Sequence, residues 1–314
     1  MRSVLIGGAG FVGAHLSRLL AERGREVIVY DRQRPPRERQ WPGVAFVTGD
    51  LATALGRPGS VPDTQLDHAL AGADVVHLLA WGYLPATSNQ HMAASIRDNI
   101  EGYVALLARC VQAKVGRVIF YSSGGTIYGS PHILPIPESH PAQPYTAHAI
   151  NKVAVEMYLS LFHRRHGLDF VVLRPGNPFG PFQNPEKPQG VIPAFLYRLR
   201  DGLPVEVWGD GEVVRDYFYV EDLAGAALLA EETPHVGEIF NIACGEGRSL
   251  NQIIDALSAV VGGPIPVQWR PARGTDVPVN ILDIAKARRL LGWEPAISFE
   301  EGLARTWREI RGRE

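Results

Sequence analysis

Cysteine is scarce in this sequence: Cys110 and Cys244 are the only two among 314 residues, far apart and in no metal-ligand spacing. That excludes a disulfide framework and gives no cysteine metal site, so both read as small buried hydrophobes in a reducing compartment. Net charge is scarce as well. With 20% charged residues and a formal charge of −2, nothing indicates a bulk electrostatic partner such as nucleic acid. The densest basic patch, "DRQRPPRERQ" (31–40), reads as a solvated loop, with a phosphate or partner site as the sharper alternative. No apolar run approaches the ~20 residues of a membrane-spanning helix. The opening "MRSVLIGG" lacks the long apolar segment of a secretion signal and reads as a strand entering a glycine turn. The expectation is a soluble, cytoplasmic protein with no membrane partner and no metal.

The first half does contain a regular alternation. "SVLIG" (3–7), "EVIVYD" (26–31), "VAFVTG" (44–49), "DVVHLLA" (74–80), "RVIFYSS" (117–123) and "DFVVLRP" (169–175) are almost continuously apolar, the pattern of parallel strands buried on both faces. Segments of helical period lie between them, such as 11–23 and 99–114. The expected fold is α/β, a doubly wound parallel (Rossmann) sheet over 1–176. From Arg174 the texture changes: "RPGNPFGPFQNPEKPQG" (174–190) holds five prolines and three glycines, which excludes helix or central strand. It leads into a second, smaller α/β region, 177–314, with helices expected near 191–201, 221–232, 249–261, 283–291 and 299–311. "GEIFNIA" (237–243) reads as a strand that returns to the sheet, so the two lobes interleave. There is no internal repeat.

"GGAGFVG" (7–13) follows the first strand and opens the first helix. Gly7 permits a tight turn, Gly10 lets backbone approach a pyrophosphate, and Gly13 allows close helix–sheet packing, while the helix N-terminus offers free N–H groups to phosphate. Asp31 ends the second strand, where an acid accepts hydrogen bonds from ribose hydroxyls and disfavours a 2′-phosphate. NAD is therefore expected over NADP, a preference that the adjacent Arg32 weakens. Asp50, in "GDL" (49–51), reads equally as an adenine contact or a plain strand-end acid.

Together with "VVHLLA", "YSSGGTIYG" (121–129), "LRPGNPFGP" (173–181), "WGDGEVVRDYFYVEDLA" (208–224), "NIACGEGRSL" (241–250) and "DIAKARRLLGWEP" (283–295), these motifs make the chain similar over nearly its whole length to the extended short-chain dehydrogenases/reductases, in the nucleotide-sugar epimerase and dehydratase branch, UDP-glucose 4-epimerase-like. The resemblance implies that Lys152 binds the nicotinamide ribose and lowers the pKa of a neighbouring acid/base. It implies a cofactor cleft lined further by Phe11, Val12, Leu51, Leu79, Ala80, Asn99, Ser122 and Pro175. Asn177, Arg215 and Arg273 should meet the substrate diphosphate, with Val191 beside it, and surface salt bridges are the plainer reading of each arginine. It also implies a homodimer paired through the helices at 99–114 and around Lys152, with Val104, Leu107, Val111, Val155, Leu159 and Phe162 as a second apolar face.

Two departures from the family pattern bear on activity. Where relatives often carry Ser or Thr in "YSSGGTIYG", this chain has Gly124; Ser123 and Thr126 flank it, and Thr126 is the expected substitute. In "PYTAHAINK" (144–152) the family's catalytic tyrosine position falls on His148. On a helix His148 shares the face of Lys152, four residues and ~6 Å away, and Tyr145 shares it ~10.5 Å away. A neighbouring cation should push the histidine below its reference pKa of ~6.5, leaving a neutral base. Three readings stay open here: His148 as the proton acceptor, Tyr145 in that role, or a site that binds without turnover. The expected activity is 4-epimerisation by transient oxidation of a sugar hydroxyl. A dehydratase is less favoured, because "SSGGTIYG" supplies no carboxylate, and a uronic acid decarboxylase remains an alternative. His77 reads as a packed strand residue, and the other histidines form no ligand spacing.

Overall fold

The computed structural model describes residues 1–51, 64–183, 190–272 and 277–312. Along the chain the strands are β1 (Arg2–Ile6), β2 (Glu26–Asp31), β3 (Val44–Thr48), β4 (Val75–Leu78), β5 (Arg117–Tyr121), β6 (Asp169–Pro175), β7 (Asn177–Phe179), β8 (Val205–Trp208), β9 (Val214–Arg215), β10 (Tyr217–Tyr219), β11 (Glu238–Ile242), β12 (Arg248–Ser249), β13 (Val267–Arg270) and β14 (Val279–Asn280). Seven of them form one sheet in the order β11-β6-β5-β4-β1-β2-β3, every neighbouring pair parallel. The order reverses between β1 and β4, which opens a crevice at their carboxyl ends.

Alternate side chains of these strands point to opposite faces, and each face has its own core. Leu5, Val29, Ile119 and Val171 pack with Leu16 and Leu20 of helix α1 (Phe11–Glu22). Val4, Ile6, Val76 and Phe120 pack with Leu66 of α2 (Thr64–Leu70), Leu106 and Cys110 of α3 (Gly102–Gln112) and Val155 of α4 (Ala147–His166). Burying each such side chain contributes ~1.5–3 kcal/mol. His77 lies fully buried in β4, bonded to the Tyr121 hydroxyl (3.0 Å) and to Glu231 (2.9 Å), a packed strand residue as read from the sequence.

The second lobe has a separate core of Phe195, Val207, Ile253, Leu257 and Leu303. It is carried by α5 (Val191–Arg200), α7 (Leu250–Val261) and α9 (Phe299–Arg311) and by the small sheets β13-β8, β10-β7 and β12-β9-β14, while α6 (Val220–Glu232) and α8 (Ala285–Leu291) pack toward the main sheet. Ser249 starts α7 with a reciprocal capping box to Gln252, which satisfies two orphan donors at once. β11 pairs with β6 from Glu238↔Val171 to Ile242↔Pro175, so the chain does return to the first sheet.

Two expectations need correction. The helix expected from residue 99 begins earlier: Met92–Ser95 runs through a π-turn, Ile96–Glu101, into α3. The second apolar face assigned to α3 and α4 is also core in part, for Leu107, Val155 and Leu159 are at most 1% exposed. Both helices have to cover the sheet as well as each other, so positions that look surplus in one helical projection are already buried.

Candidate functional site

The carboxyl ends of β1, β4 and β5 bring the sequence-predicted residues together. Gly7 adopts φ +82°, and a Cβ there would meet the Ala80 backbone at 2.4 Å; only glycine suits both conditions. A Cβ on Gly13 would meet the Gly8 carbonyl at 2.3 Å, so this glycine packs the helix against its own turn rather than against the sheet. The Leu79 and Ala80 N–H groups both donate to the Ile6 carbonyl, and the Tyr103 hydroxyl donates to the Ala80 carbonyl.

Helix α1 begins at Phe11 and Val12 with Gly10 as N-cap. No side chain caps it, and no acid lies in its first turn. Its orphan N–H groups and the positive end of its dipole therefore face an anion-ready opening. Asp31 Oδ2 accepts the Ala9 N–H at 3.0 Å and Oδ1 the Gln33 N–H at 3.3 Å, which fixes the carboxylate beside the glycine turn. Arg32 is exposed, Asp50 is half-buried, and Leu51 packs on the core behind. Ser122 Oγ, just past β5, is buried and makes no hydrogen bond. An uncapped helix start, an oriented carboxylate and an orphaned hydroxyl together fit a dinucleotide. Asn99, expected to line the cofactor cleft, is engaged within the protein. It is 1% exposed, its Oδ1 accepts the Gly82 N–H (2.9 Å) and its Nδ2 donates to the Gly82 carbonyl (3.0 Å). It shapes the cleft through Gly82.

Helix α4 starts after Thr146, whose side chain accepts the Ala149 N–H. The Asn89 Oδ1 accepts the Ala147 N–H and Ser88 Oγ the His148 N–H. Tyr145 therefore precedes the helix, and the helical rotation expected to bring it beside Lys152 does not apply. It is 62% exposed, and its hydroxyl accepts from the Ser130 N–H at 3.4 Å.

His148 and Lys152 are one turn apart, and both are buried. Burial pushes the His148 imidazole down to about 4, with Lys152 adding to the effect and the Tyr83 carbonyl opposing it; the helix N-terminus disfavours its protonation in the same direction. Burial also lowers the Lys152 amine to about 7, against the pull of Glu156. Lys152 Nζ donates to the Tyr121 carbonyl at 2.6 Å and sits 3.6 Å from the centre of the Trp81 ring. The Trp81 indole N–H points at His148 Nδ1 from 3.2 Å. Glu156 is bound twice by Arg174, at 3.0 and 2.6 Å, which anchors the third turn of the helix to β6. Sequence reasoning missed Trp81, although a tryptophan directly after Ala80 at the end of a central strand was a readable signal. Tyr83, Ser88 and Asn89 carried none.

On the substrate side Thr126 Oγ1 donates to Ser123 Oγ at 2.8 Å. Gly124 answers to Leu282, because a Cβ at 124 would meet Leu282 Cδ1 at 2.4 Å and the Arg174 carbonyl at 3.0 Å. Its N–H donates to the Pro175 carbonyl at 2.8 Å. Asn177 borders Gly125 and donates backbone N–H to the Asp216 carbonyl at 2.8 Å. Buried Asp216 in turn accepts the N–H groups of Cys244, Gly245 and Leu282. Arg215 is half-buried on β9 and donates to the Val214 and Val277 carbonyls. Val191 opens α5, and Arg273 lies outside the described residues. Among the described residues no group of three or more His, Cys, Asp or Glu could hold a metal, and no helix is long and apolar enough to cross a membrane.

Residues 3–243 match the model of the NAD dependent epimerase/dehydratase family. The chain is similar to the crystal structure of UDP-glucose 4-epimerase with UDP-glucose from Thermotoga maritima, with a TM-score of 0.91, 36% identity and 99% of each chain covered. It is similar also to the Thermus thermophilus UDP-glucose 4-epimerase in complex with NAD, with a TM-score of 0.89, 33% identity and both chains covered in full. The UDP-glucose 4-epimerase of Mycolicibacterium smegmatis is 31% identical over 323 residues, 98% of this chain and 97% of its own.

Proposed function

Because the chain belongs to the NAD-dependent epimerase/dehydratase family, we propose that it is a nucleotide-sugar 4-epimerase in which His148 handles the proton. Bound NAD⁺ supplies the hydride acceptor and returns the hydride. His148 takes the proton of the sugar hydroxyl and gives it back to the other face of the keto sugar once that has turned in the site. Lys152 orients the nicotinamide ribose, while burial, with the lysine's charge as a lesser contribution, keeps the imidazole neutral. Asp31 accepts from the adenosine ribose hydroxyls. The Ser123–Thr126 pair meets the sugar, Asn177 and Arg215 face the diphosphate as neutral and charge-assisted donors, and the family pattern makes Arg273 a further donor to it. Residues 1–176 with the returning β11 serve the cofactor, and 177–314 the nucleotide sugar.

The observation that carries this reading is the buried His148 one turn before the buried Lys152 on the same helix. Against a dehydratase, the Thr126 hydroxyl donates to Ser123 and, among the described residues, meets no carboxylate. The test is to supply purified protein and NAD with UDP-glucose and other uridine and thymidine diphosphosugars. Absorbance near 340 nm and the 4-epimer are then followed. Retention of NAD and sugar with no epimer from any of them would make the protein a binding module instead.

The protein is further read as a homodimer. Ile150, Met157 and Leu161 form one exposed stripe of α4, and Ile96 is exposed at the π-turn, an apolar surface suited to a second copy. Met157→Glu should yield monomers in sedimentation at micromolar concentration. Both thiols are free, which suits the reducing cytoplasm.

A further inference from the structure

Two groups of opposite character compete for one nitrogen of His148. The Trp81 indole N–H is 3.2 Å from Nδ1, and the Tyr83 carbonyl oxygen is 3.1 Å from that same atom. An indole N–H only donates and a carbonyl only accepts, so Nδ1 satisfies one of them at a time. With its lone pair toward Trp81, the ring carries its proton on Nε2 and cannot act as a base there. With an N–H toward Tyr83, the ring leaves Nε2 bare and ready to accept. Nε2 has no hydrogen-bond partner among the described residues, so the choice is made wholly at Nδ1.

The segment that makes this choice is held firmly. Tyr83 has φ +62°, uncommon for a bulky residue. Gly82 is held on both sides by Asn99, and Asn99 Nδ2 also reaches Ser95 Oγ. The ring of Trp81 is fixed from above by Lys152 and lies edge-on to His148, with centroids 5.8 Å apart. An unpaired N–H in such a site is rarer than an under-used carbonyl, which keeps its second lone pair for other partners. The Trp81 contact therefore prevails at rest.

We propose that Trp81 is a positioning residue that holds resting His148 in the tautomer protonated at Nε2, so that proton acceptance first requires a tautomer change in which solvent water takes the Nε2 proton and supplies one to Nδ1, where the new N–H donates to the Tyr83 carbonyl. Trp81 thereby restrains the site. The charged group acting on the imidazole is Lys152; Trp81, Ser88 and the Tyr83 carbonyl present neutral groups, and His91 stacks beyond on the Tyr83 ring. The consequence for turnover rests on the reading of His148 as proton acceptor, but the tautomer assignment does not.

Nitrogen-15 spectra of the full-length protein decide it, with the His148 signals identified as those absent from His148→Gln. The expected result near neutral pH is a pyridine-type Nδ1 and a pyrrole-type Nε2. Trp81→Phe keeps an aromatic face for Lys152 and removes the N–H. It should reverse the two signal types, raise kcat several-fold and move the acid limb of the pH profile upward, with the sugar KM little changed. A pyrrole-type Nδ1 in the unmodified protein overturns the proposal, and that measurement needs no variant to fold. An unchanged tautomer ratio in folded Trp81→Phe overturns it too. Reversed signals without turnover in either protein would uphold the tautomer assignment and count against the epimerase reading alone.

Discussion

Lys152 and Trp81 are stacked, with the amine 3.6 Å from the centre of the indole ring. An ammonium against an aromatic face gains electrostatically, yet burial costs more here and draws the amine down to about 7. The lysine of this site is thus a titrating group near neutrality rather than a fixed charge.

The first prediction follows from these two groups. In kcat/KM the acid limb should come from His148 and lie near pH 4, since a protonated ring cannot accept a proton. A second decline should begin near pH 7 as Lys152 loses its charge. Lys152→Arg, which stays protonated, should abolish the alkaline decline even if it lowers the plateau. A pH–rate profile flat from 6 to 9 would contradict the assignment of Lys152.

Stability should change with pH as well. His15 and His148 both titrate near 4 when folded, against ~6.5 unfolded. Between those values the unfolded chain binds more protons, so the contribution of these two histidines is fully present above ~6.5 and is lost as pH drops toward 4. The loss should reach about 3 kcal/mol for each group. Urea unfolding at several pH values measures it, and His148→Phe should remove one share of the slope.

His148→Phe should abolish turnover while NAD and nucleotide-sugar binding persist, and Tyr145→Phe should change kcat less than about twofold, because Tyr145 lies outside the helix and largely in solvent. Steady-state kinetics with binding calorimetry distinguish the two. The reverse ranking would return the proton to Tyr145.

Asp31→Ala should weaken NAD binding by ~1.5–3 kcal/mol per lost charged hydrogen bond and narrow the gap between NAD and NADP. The glycine turn should loosen too, because the Ala9 N–H loses its acceptor. Titration with each dinucleotide provides the check. NADP bound as tightly as NAD by the unmodified protein would overturn the cofactor assignment.

Asn99→Ala removes both bonds to Gly82 in a buried site, and should cost about 2–4 kcal/mol. Its further signature should be a disturbed His148, since Trp81 and Tyr83 flank that glycine. A thermal melt gives the first quantity and the His148 nitrogen signals the second.

Much of this architecture was legible because parallel strands must be apolar on both faces; "RVIFY" and "VVHLLA" permit little else, and the glycine turn follows a strand and opens a helix where a cofactor turn should. The family resemblance singled out His148 and Lys152, and helical spacing made their shared face legible. Tyr145 was misread because the start of a helix depends on its cap: Thr146 closes onto the Ala149 N–H, and Asn89 and Ser88, remote in sequence, complete the start. Trp81 escaped notice because periodicity weighs a residue by burial and says nothing of which nitrogen it addresses. The π-turn that seats Asn99 leaves no mark in a pattern of 3.6-residue period.

Leu282 bears on the order in which this site can be altered. Its methyl group fills the space that any side chain at position 124 would need, 2.4 Å from the missing Cβ, and the Arg174 carbonyl closes the remainder. That methyl is the far end of a rotatable side chain, so a serine there would first turn Leu282 aside, whereas shortening Leu282 alone would leave a void in the core. The two positions are therefore coupled, and the cost of a hydroxyl at 124 is set by how far Leu282 can turn within its packing.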